Sequence, residues 1–507
     1  METIKGNLRD LWASWRIFHS NFNAKYGTIF NLVILLLLAT ATVILLVRAA
    51  LAGRKSRVAL SPLASRTPDR ERTERAAESL AMAIRCPSIT GREEEMLALG
   101  RLLKERYPLA ADALDWVTMP GGSLLLRWRA GEKTENDPVL LCSHLDVVPG
   151  GEGWTVCEPF DGIRQDGRIY GRGAADCKAA IIAMMEATET LLAEGAAPRR
   201  EIYYAFGCDG EAGGRQGAAR IAQIMEKEGL RFSMVLDEGG TFRETMPGEG
   251  RYYPAAYIGM GEKRLCEYRL TATCEGGRSA VPGRATALGV LSEAICRIES
   301  AQPHHHLLPI VRRQINATMS GFSFGRRLIL TSPLFRNLFV GKLFRGEPAL
   351  SALVRSTVVP TRIDGGFTAG HVLPATASVL LNARLLPGED PERELEELRA
   401  LTADLPVEAE LVSAGDESFL TSEKQPMYKL LRSTIEGLYP TLPCIATLIP
   451  TAEDARHYSG LSDCVLRFAP LTLGPEGGGK AHSADENLSE KSLGLAVEVY
   501  ESLMRKL

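Results

Sequence analysis

VLLCSHLDVVPG at 139–150, YGRGAADCK at 170–178, EIYYAFGCDGEAGG at 201–214 and VLDEGG at 235–240 decide the reading of this chain. Three of the four open on a short apolar run of strand character and break off into polar, glycine-rich sequence. Between them, 179–194 and 218–228 carry apolar residues at helical spacing. Strands alternating with helices define an α/β sheet, whose ligand site lies beyond the carboxyl ends of the strands. The polar residues after each run are therefore the candidate site: His144, Asp176, Glu211 and Asp237, joined by His482 of GGGKAHSADEN at 477–487. All five offer the oxygen or nitrogen donors that bind metals, and flanking glycines permit close backbone approach.

Working outward, a smaller unit begins near Arg264. It has strand-like CEYRLTAT at 266–273, a helix over 285–299, strand-like ATASVLLNARLL at 375–386 and a helix over 391–403. It reads as a small βαβ-type α+β sandwich inserted into the first unit. Within it, Ala301 to Val359 reads as a long irregular insertion. His304, His305 and His306 lie there side by side; three adjacent histidines on a regular element cannot converge on one metal, so they read as surface. After Gly415 the α/β pattern resumes and closes with a helix over 489–506.

At the other end, Ile29 to Val47 is 19 residues without a charge. At 1.5 Å per residue such a helix nearly spans a ~30 Å hydrocarbon core, so it reads as one transmembrane helix. The alternative is a signal peptide cleaved near Ala50-Leu51-Ala52, against which stand the 28-residue polar lead-in and Arg48. The positive-inside rule, taken literally, leaves the C-terminal part in the cytoplasm, by a margin too small to fix the side. The basic stretch 48–72 that follows reads as a linker, either touching anionic lipid or merely solvated.

The remaining composition excludes more than it assigns. The chain has 507 residues, 45% apolar and 24% charged, a folded composition long enough for at least two globular units. Its 59 Lys and Arg against 62 Asp and Glu give a net charge of −3, so no global basic field exists to hold a nucleic acid. The 10 cysteines form no CxxC pair, which argues against a zinc ribbon or a dense disulfide scaffold. GPEGGGKA at 474–481 mimics a phosphate-binding loop, but Ala481 stands where that loop needs a hydroxyl.

HLDVVPG, GRGAADCK, DEGG, DARHY at 454–458 and AHSADEN also occur in the order found in one family, the di-zinc metallopeptidases that include aminoacylase, carboxypeptidase S and glutamate carboxypeptidase. The chain resembles that family from about residue 73 to 507. The long insertion and NLFVGKLFRGEPALSALVRST at 337–357 further resemble its subgroup of carboxypeptidase S and the N-fatty-acyl-amino-acid amidases.

The resemblance implies an α/β zinc-peptidase-like catalytic domain in two parts, 73–263 and 415–507. Between them, 264–414 would be a smaller, ferredoxin-like lid or dimerisation domain with insertion 301–359. Ahead lie a polar segment 1–28, the transmembrane helix 29–47 and the linker 48–72. It further implies two zinc ions bridged by Asp176, with His144 and Asp237 completing one site and Glu211 and His482 the other. Three carboxylates against two divalent ions leave one positive charge for an anionic substrate. Asp146 matches the carboxylate that orients the imidazole, and Arg456 an arginine for the substrate carboxylate. The implied substrate is a short peptide or an N-acyl amino acid, and the implied assembly a homodimer through the inserted domain.

Four positions depart from the family pattern. Its acidic motif runs Asp-Glu-Glu-x-Gly-Gly, with the first Glu as general base; here Gly210 takes that place and Glu211 keeps the ligand position. Gly277-Arg278-Ser279 and His371-Val372-Leu373-Pro374 stand where the family has Gly-Gly-His-Ser and Asn-Val-x-Pro, and Cys208 replaces a common His. Arg278 and His371 are thus the substrate-binding candidates of the inserted domain. Two readings follow: a membrane-anchored di-zinc amide hydrolase with an impaired base, or a metal-binding pseudoenzyme that holds such ligands without turnover.

Overall fold

A computed structural model of the chain describes residues 29–53, 62–131, 136–246, 252–365, 370–417, 419–479 and 481–507. The polar segment 1–28 and residues 54–61 of the linker lie outside the described residues. The chain divides into two compact units, one of 1–57 with 319–340 and the other of 58–318 with 341–507.

The larger unit is built on a mixed 10-stranded sheet. At its centre Val139–His144 pairs in parallel with Ile202–Gly207 on one side and Met234–Asp237 on the other, and Val465–Arg467 continues in parallel beyond the latter. VLLCSH and IYYAFG are buried at every position, as expected of parallel strands covered on both faces. Leu140, Cys142, Tyr203 and Ala205 pack on one face against Ile221, Met225 and Tyr458. The other helical layer is Arg70–Ile84, Lys178–Ala193 and Glu490–Met504, which pack on one another. In this register His144 lies opposite Gly207 and Leu141 opposite Leu236, so the expected ligands leave the sheet at one edge.

A separate four-stranded antiparallel sheet covers much of 264–414. Its elements follow as Arg264–Thr273, helix Ala287–Ser300, Thr357–Gly365, Thr376–Leu385, helix Pro391–Leu401 and Val407–Ala414. The spatial order is second, third, first, fourth strand, the split βαβ arrangement of ferredoxin-like folds. Cys266, Tyr268, Leu270 and Ala272 alternate inward along the first strand and join Leu291, Ile298 and Leu398 of the helices in a core of their own.

The insertion 301–359 is helical rather than irregular, with helices Pro309–Ala317, Phe324–Leu330, Pro333–Phe344 and Pro348–Val354. Proline opens three of the four. At a first helical position its missing N–H costs nothing, so residues that read as breakers are start signals. The strand Tyr252–Glu262 also escaped the sequence reading, because Pro254, Gly259 and Gly261 interrupt its apolar pattern.

In the smaller unit, the N-terminal helix runs Ile29–Gly53, six residues past Val47, and is long and apolar enough to cross a membrane.

Candidate metal centre

Five loops bring the donors together. His144 ends its strand, and Asp176 sits in the turn before Lys178–Ala193, after which the peptide to Cys177 is cis. Glu211 lies in the 3₁₀ turn Gly210–Ala212 and His482 in the loop before Asn487–Ser489. Two donor groups result, each with ligand atoms within 4.8 Å of one another: His144, Asp176, Cys177 and Glu238 in one, Asp176, Glu211 and His482 in the other. His482 Nε2 is 3.0 Å from Glu211 Oε2 and 3.3 Å from Asp176 Oδ2. His144 Nε2 is 3.0 Å from Glu238 Oε1 and 3.5 Å from Asp176 Oδ1. Asp176 is the residue the two groups share.

One expected ligand is displaced by a single residue. Asp237 is buried, but its Oδ2 accepts from Ala455 N at 2.6 Å, on the side of the 454–461 turn. Glu238, the next residue, carries the carboxylate to His144. Adjacent residues at a strand end point to opposite faces, so choosing the first acid of DEGG rather than the second selects the wrong face.

Asp146 couples the donors to one another. Fully buried, it accepts from Thr90 Oγ1 at 2.7 Å, Gly210 N at 2.8 Å and Glu211 N at 3.2 Å. Its Oδ1 also lies 3.3 Å from His144 Nδ1. Burial opposes its charge, yet His144, Thr90 and the Gly210 N–H hold the carboxyl below its ordinary range. Glu486, quoted within AHSADEN but assigned no role, does the same for the Asp176 loop. Its Oε1 accepts from Gly173, Ala175 and Asp176 N at 2.9–3.1 Å, and its Oε2 from Arg172 Nη1 at 2.6 Å.

The electrostatics are those of a site built for cations. Hydrogen bonds to Asp176 and Glu211 raise the His482 pKa to about 10. Burial raises the Glu238 carboxyl to about 7 against the pull of His144. Burial likewise raises Glu453 to about 8, helped by the charges of Glu238 and Asp176. Crowded carboxylates kept apart only by protons accept divalent ions in place of those protons. Two imidazoles and three carboxylates with one carboxylate shared fit two such ions.

The remaining candidates fall elsewhere. Arg456 donates to Glu453 O at 2.8 Å and Gly213 O at 2.6 Å. It lines a cavity of about 700 Å³ with Gly213, Leu265, Asp416 and His457. Arg278 is exposed on a two-residue ribbon, Gly277–Arg278 with Val372–Leu373, His371 is exposed directly before that second strand, and neither is hydrogen-bonded to the donor groups among the described residues. Asp209, beside Gly210, is turned to the backbone. Its two oxygens accept from Gln216 N at 2.8 Å and Gly217 N at 2.7 Å and are spent holding the turn. At Gly210 itself, a Cβ would fall 2.6 Å from His144 Cγ.

Two histidine-containing donor groups joined by one carboxylate, at the strand ends of an α/β sheet, define the centre of a metallohydrolase. The sequence model of peptidase family M20/M25/M40 matches residues 140–506, and the chain belongs to that metal-dependent family, as a hydrolase of the carboxypeptidase or N-acyl-amino-acid hydrolase type. Probable carboxypeptidase S-like 2 of Dictyostelium discoideum is 31% identical over 424 residues, covering 82% of this chain and 80% of that one. N-fatty-acyl-amino acid synthase/hydrolase PM20D1 of Mus musculus is 29% identical, covering 84% and 87%. Among solved structures, an M20 metallo-carboxypeptidase of Sulfolobus solfataricus shares the fold with a TM-score of 0.61 at 17% identity, covering 85% of this chain and 98% of that one. A dinuclear metal-binding M20 peptidase of Bacillus subtilis does so at 0.53 and 13%, covering 86% and 98%.

Proposed function

We propose that the chain is a membrane-anchored di-zinc hydrolase that cleaves the amide bond next to a free carboxylate, in a short peptide or an N-acyl amino acid. The observation that carries the reading is Asp176 shared between two donor groups. Bound there, two zinc ions would polarise the scissile carbonyl and make water acidic enough to attack it. The chain's own residues do the rest. Asp146 fixes the His144 ring and the Glu211 turn in one network, and Glu486 fixes the turn that presents Asp176. Arg456, at the cavity wall, offers the guanidinium fork for the substrate carboxylate. Since Gly210 brings no carboxylate and Asp209 is committed to backbone donors, turnover is slow by the ~10²- to 10⁴-fold that a general base contributes.

The Ile29–Gly53 helix supports the anchor, although a signal sequence has the same length and composition. The 264–414 sheet supports a lid or dimerisation role: its edge strands Thr357–Gly365 and Val407–Ala414 leave Val359, Ile363 and Val412 exposed. The test is metal analysis of the full chain paired with a hydrolysis screen on dipeptides and N-acyl amino acids. Two zinc equivalents with slow turnover are expected. Two equivalents with no turnover on any substrate would favour the pseudoenzyme, and a chain free of metal would end both readings.

A further inference from the structure

The DARHY turn carries a histidine that the hydrolase reading does not use. His457 is largely buried, and its Nε2 lies 2.9 Å from Gly213 O. Its Nδ1 lies 3.3 Å from Asp416 Oδ2. A carbonyl and a carboxylate only accept, so the ring serves both by donating from each nitrogen. This hydrogen bond is the first cause that holds the Asp416 carboxyl below its ordinary range, against partial burial.

One end of this link is the turn of a metal donor. Gly213 closes the 3₁₀ turn Gly210–Ala212 that presents Glu211, and its N–H bonds back to Gly210 O at 3.1 Å. Asp146 holds the near side of that turn through Gly210 N and Glu211 N. The far side, Gly213 O, is held by Arg456 Nη2 at 2.6 Å and by His457. The fit is close: a Cβ at Gly214 would fall 2.1 Å from Asp454 Oδ1 and 3.1 Å from His457 Cδ2. The 454–461 turn is itself fixed, since Ala455 N donates to Asp237 at 2.6 Å and Ala455 and Tyr458 are buried.

The other end is the stem of the 264–414 sheet. Asp416 follows its last strand, Val407–Ala414, where the chain turns back to the larger sheet. There Gly415 N donates to Leu265 O at 2.8 Å and Arg264 Nε to Gly415 O at 2.7 Å, so the outgoing and returning strands are clipped together. Leu265 and Ala414 of the stem and Gly213 of the turn line the same cavity of about 700 Å³. Asp416 and His457 form a polar link between stem and turn.

We propose that His457 and Asp416 are positioning residues for the Glu211 and His482 donor group, tying the Glu211 turn to the stem of the 264–414 sheet. The inference rests on the di-zinc reading and goes beyond it. The test is zinc titration of the purified full chain against a competing indicator, which reads each equivalent without turnover, with the melting temperature of the chelated chain as control. H457A is expected to weaken one of the two equivalents by about 10-fold and to leave the other, on His144 and Glu238, within about twofold. H457Q, whose amide donates in place of Nε2, restores most of that loss; H457N, whose amide reaches only toward Asp416, does not. D416N removes an exposed partner and costs a few-fold, and it adds nothing once His457 is alanine. Should H457A fail to fold, H457N against H457Q makes the same comparison. An unmoved titration overturns the proposal, as does equal weakening of both equivalents with a lowered chelated melting temperature, which is the mark of a merely structural pair. Unchanged affinity in D416N overturns the tie to the stem. An unsubstituted chain that takes up no zinc fails the di-zinc reading itself, and the inference with it.

Discussion

The metal centre and the Pro333–Phe344 helix differ in what they present to their surroundings. The first packs three carboxylates around two imidazoles at separations of 3.0–3.5 Å, with Asp146 and Glu486 fully buried behind them. The second exposes Leu334, Phe335, Leu338 and Phe339 along one helix. Fixed, convergent negative charge suits small divalent ions, which repay the desolvation of the site only when their ligands are already in place. Convergent donors therefore imply a small bound cation in the first region, and geometry carries that reading.

The largest effect that would break this contrast is expected at Asp176. Because both donor groups use it, Asp176→Asn removes charge from each at once. We expect less than one zinc equivalent by metal analysis and hydrolysis lowered by ~10³-fold or more. Retention of both metals would show that the groups do not share this residue.

Next in size is the comparison of Glu238→Gln with Asp237→Asn. If the second acid of DEGG faces the ions, Glu238→Gln lowers zinc affinity by roughly 10- to 100-fold or more, while Asp237→Asn acts chiefly on stability through the Ala455 N–H. Titration with a zinc indicator separates the two. The opposite order would restore the residue that the motif alone suggested.

Gly210→Glu is smaller and less one-sided. A base there is worth ~10²-fold or more, but its Cβ must displace the His144 ring, so we expect a gain in kcat below 10²-fold together with weaker zinc binding. A full 10²-fold gain at unchanged affinity would show that the turn relaxes to admit the side chain.

The α/β sheet was legible because VLLCSH and IYYAF are long enough apolar runs to mark strands, and because ligands in such sheets follow strand ends. His144, Asp176, Glu211 and His482 are brought together accordingly. Glu238 was hidden by its neighbour, since two adjacent acids at a strand end differ only in the face they take. Glu486 was hidden because its role lies in accepting backbone N–H groups, which leave no trace in side-chain spacing. The helices of 309–354 were hidden by the prolines that start them.

The smallest expected effect concerns pH and separates protons from metal at the same donors. In the chelated chain His482, raised to about 10 from an ordinary 6.5, contributes stability that is complete below pH 6.5 and is lost as pH rises through 10. Burial raises Glu238 to about 7 and Glu453 to about 8 from an ordinary 4.5, so stability is lost as pH rises from 4.5 to those values and the loss is complete above them. All three act in one direction, because the folded chain holds protons that the unfolded chain has released, on Glu238 up to about pH 7, on Glu453 up to about 8 and on His482 up to about 10. The chelated melting temperature should therefore fall across that window. Zinc competes for the same donors and binds only their deprotonated forms, so its affinity, and with it the stabilisation by mass action, rises with pH. The zinc-induced rise in melting temperature should widen from pH 6.5 to 9.5, by a few degrees to roughly 10 °C, in a thermal scan at fixed free zinc. A shift independent of pH would mean that zinc and protons do not compete for these residues, and would remove His482 and Glu238 from the ligand set.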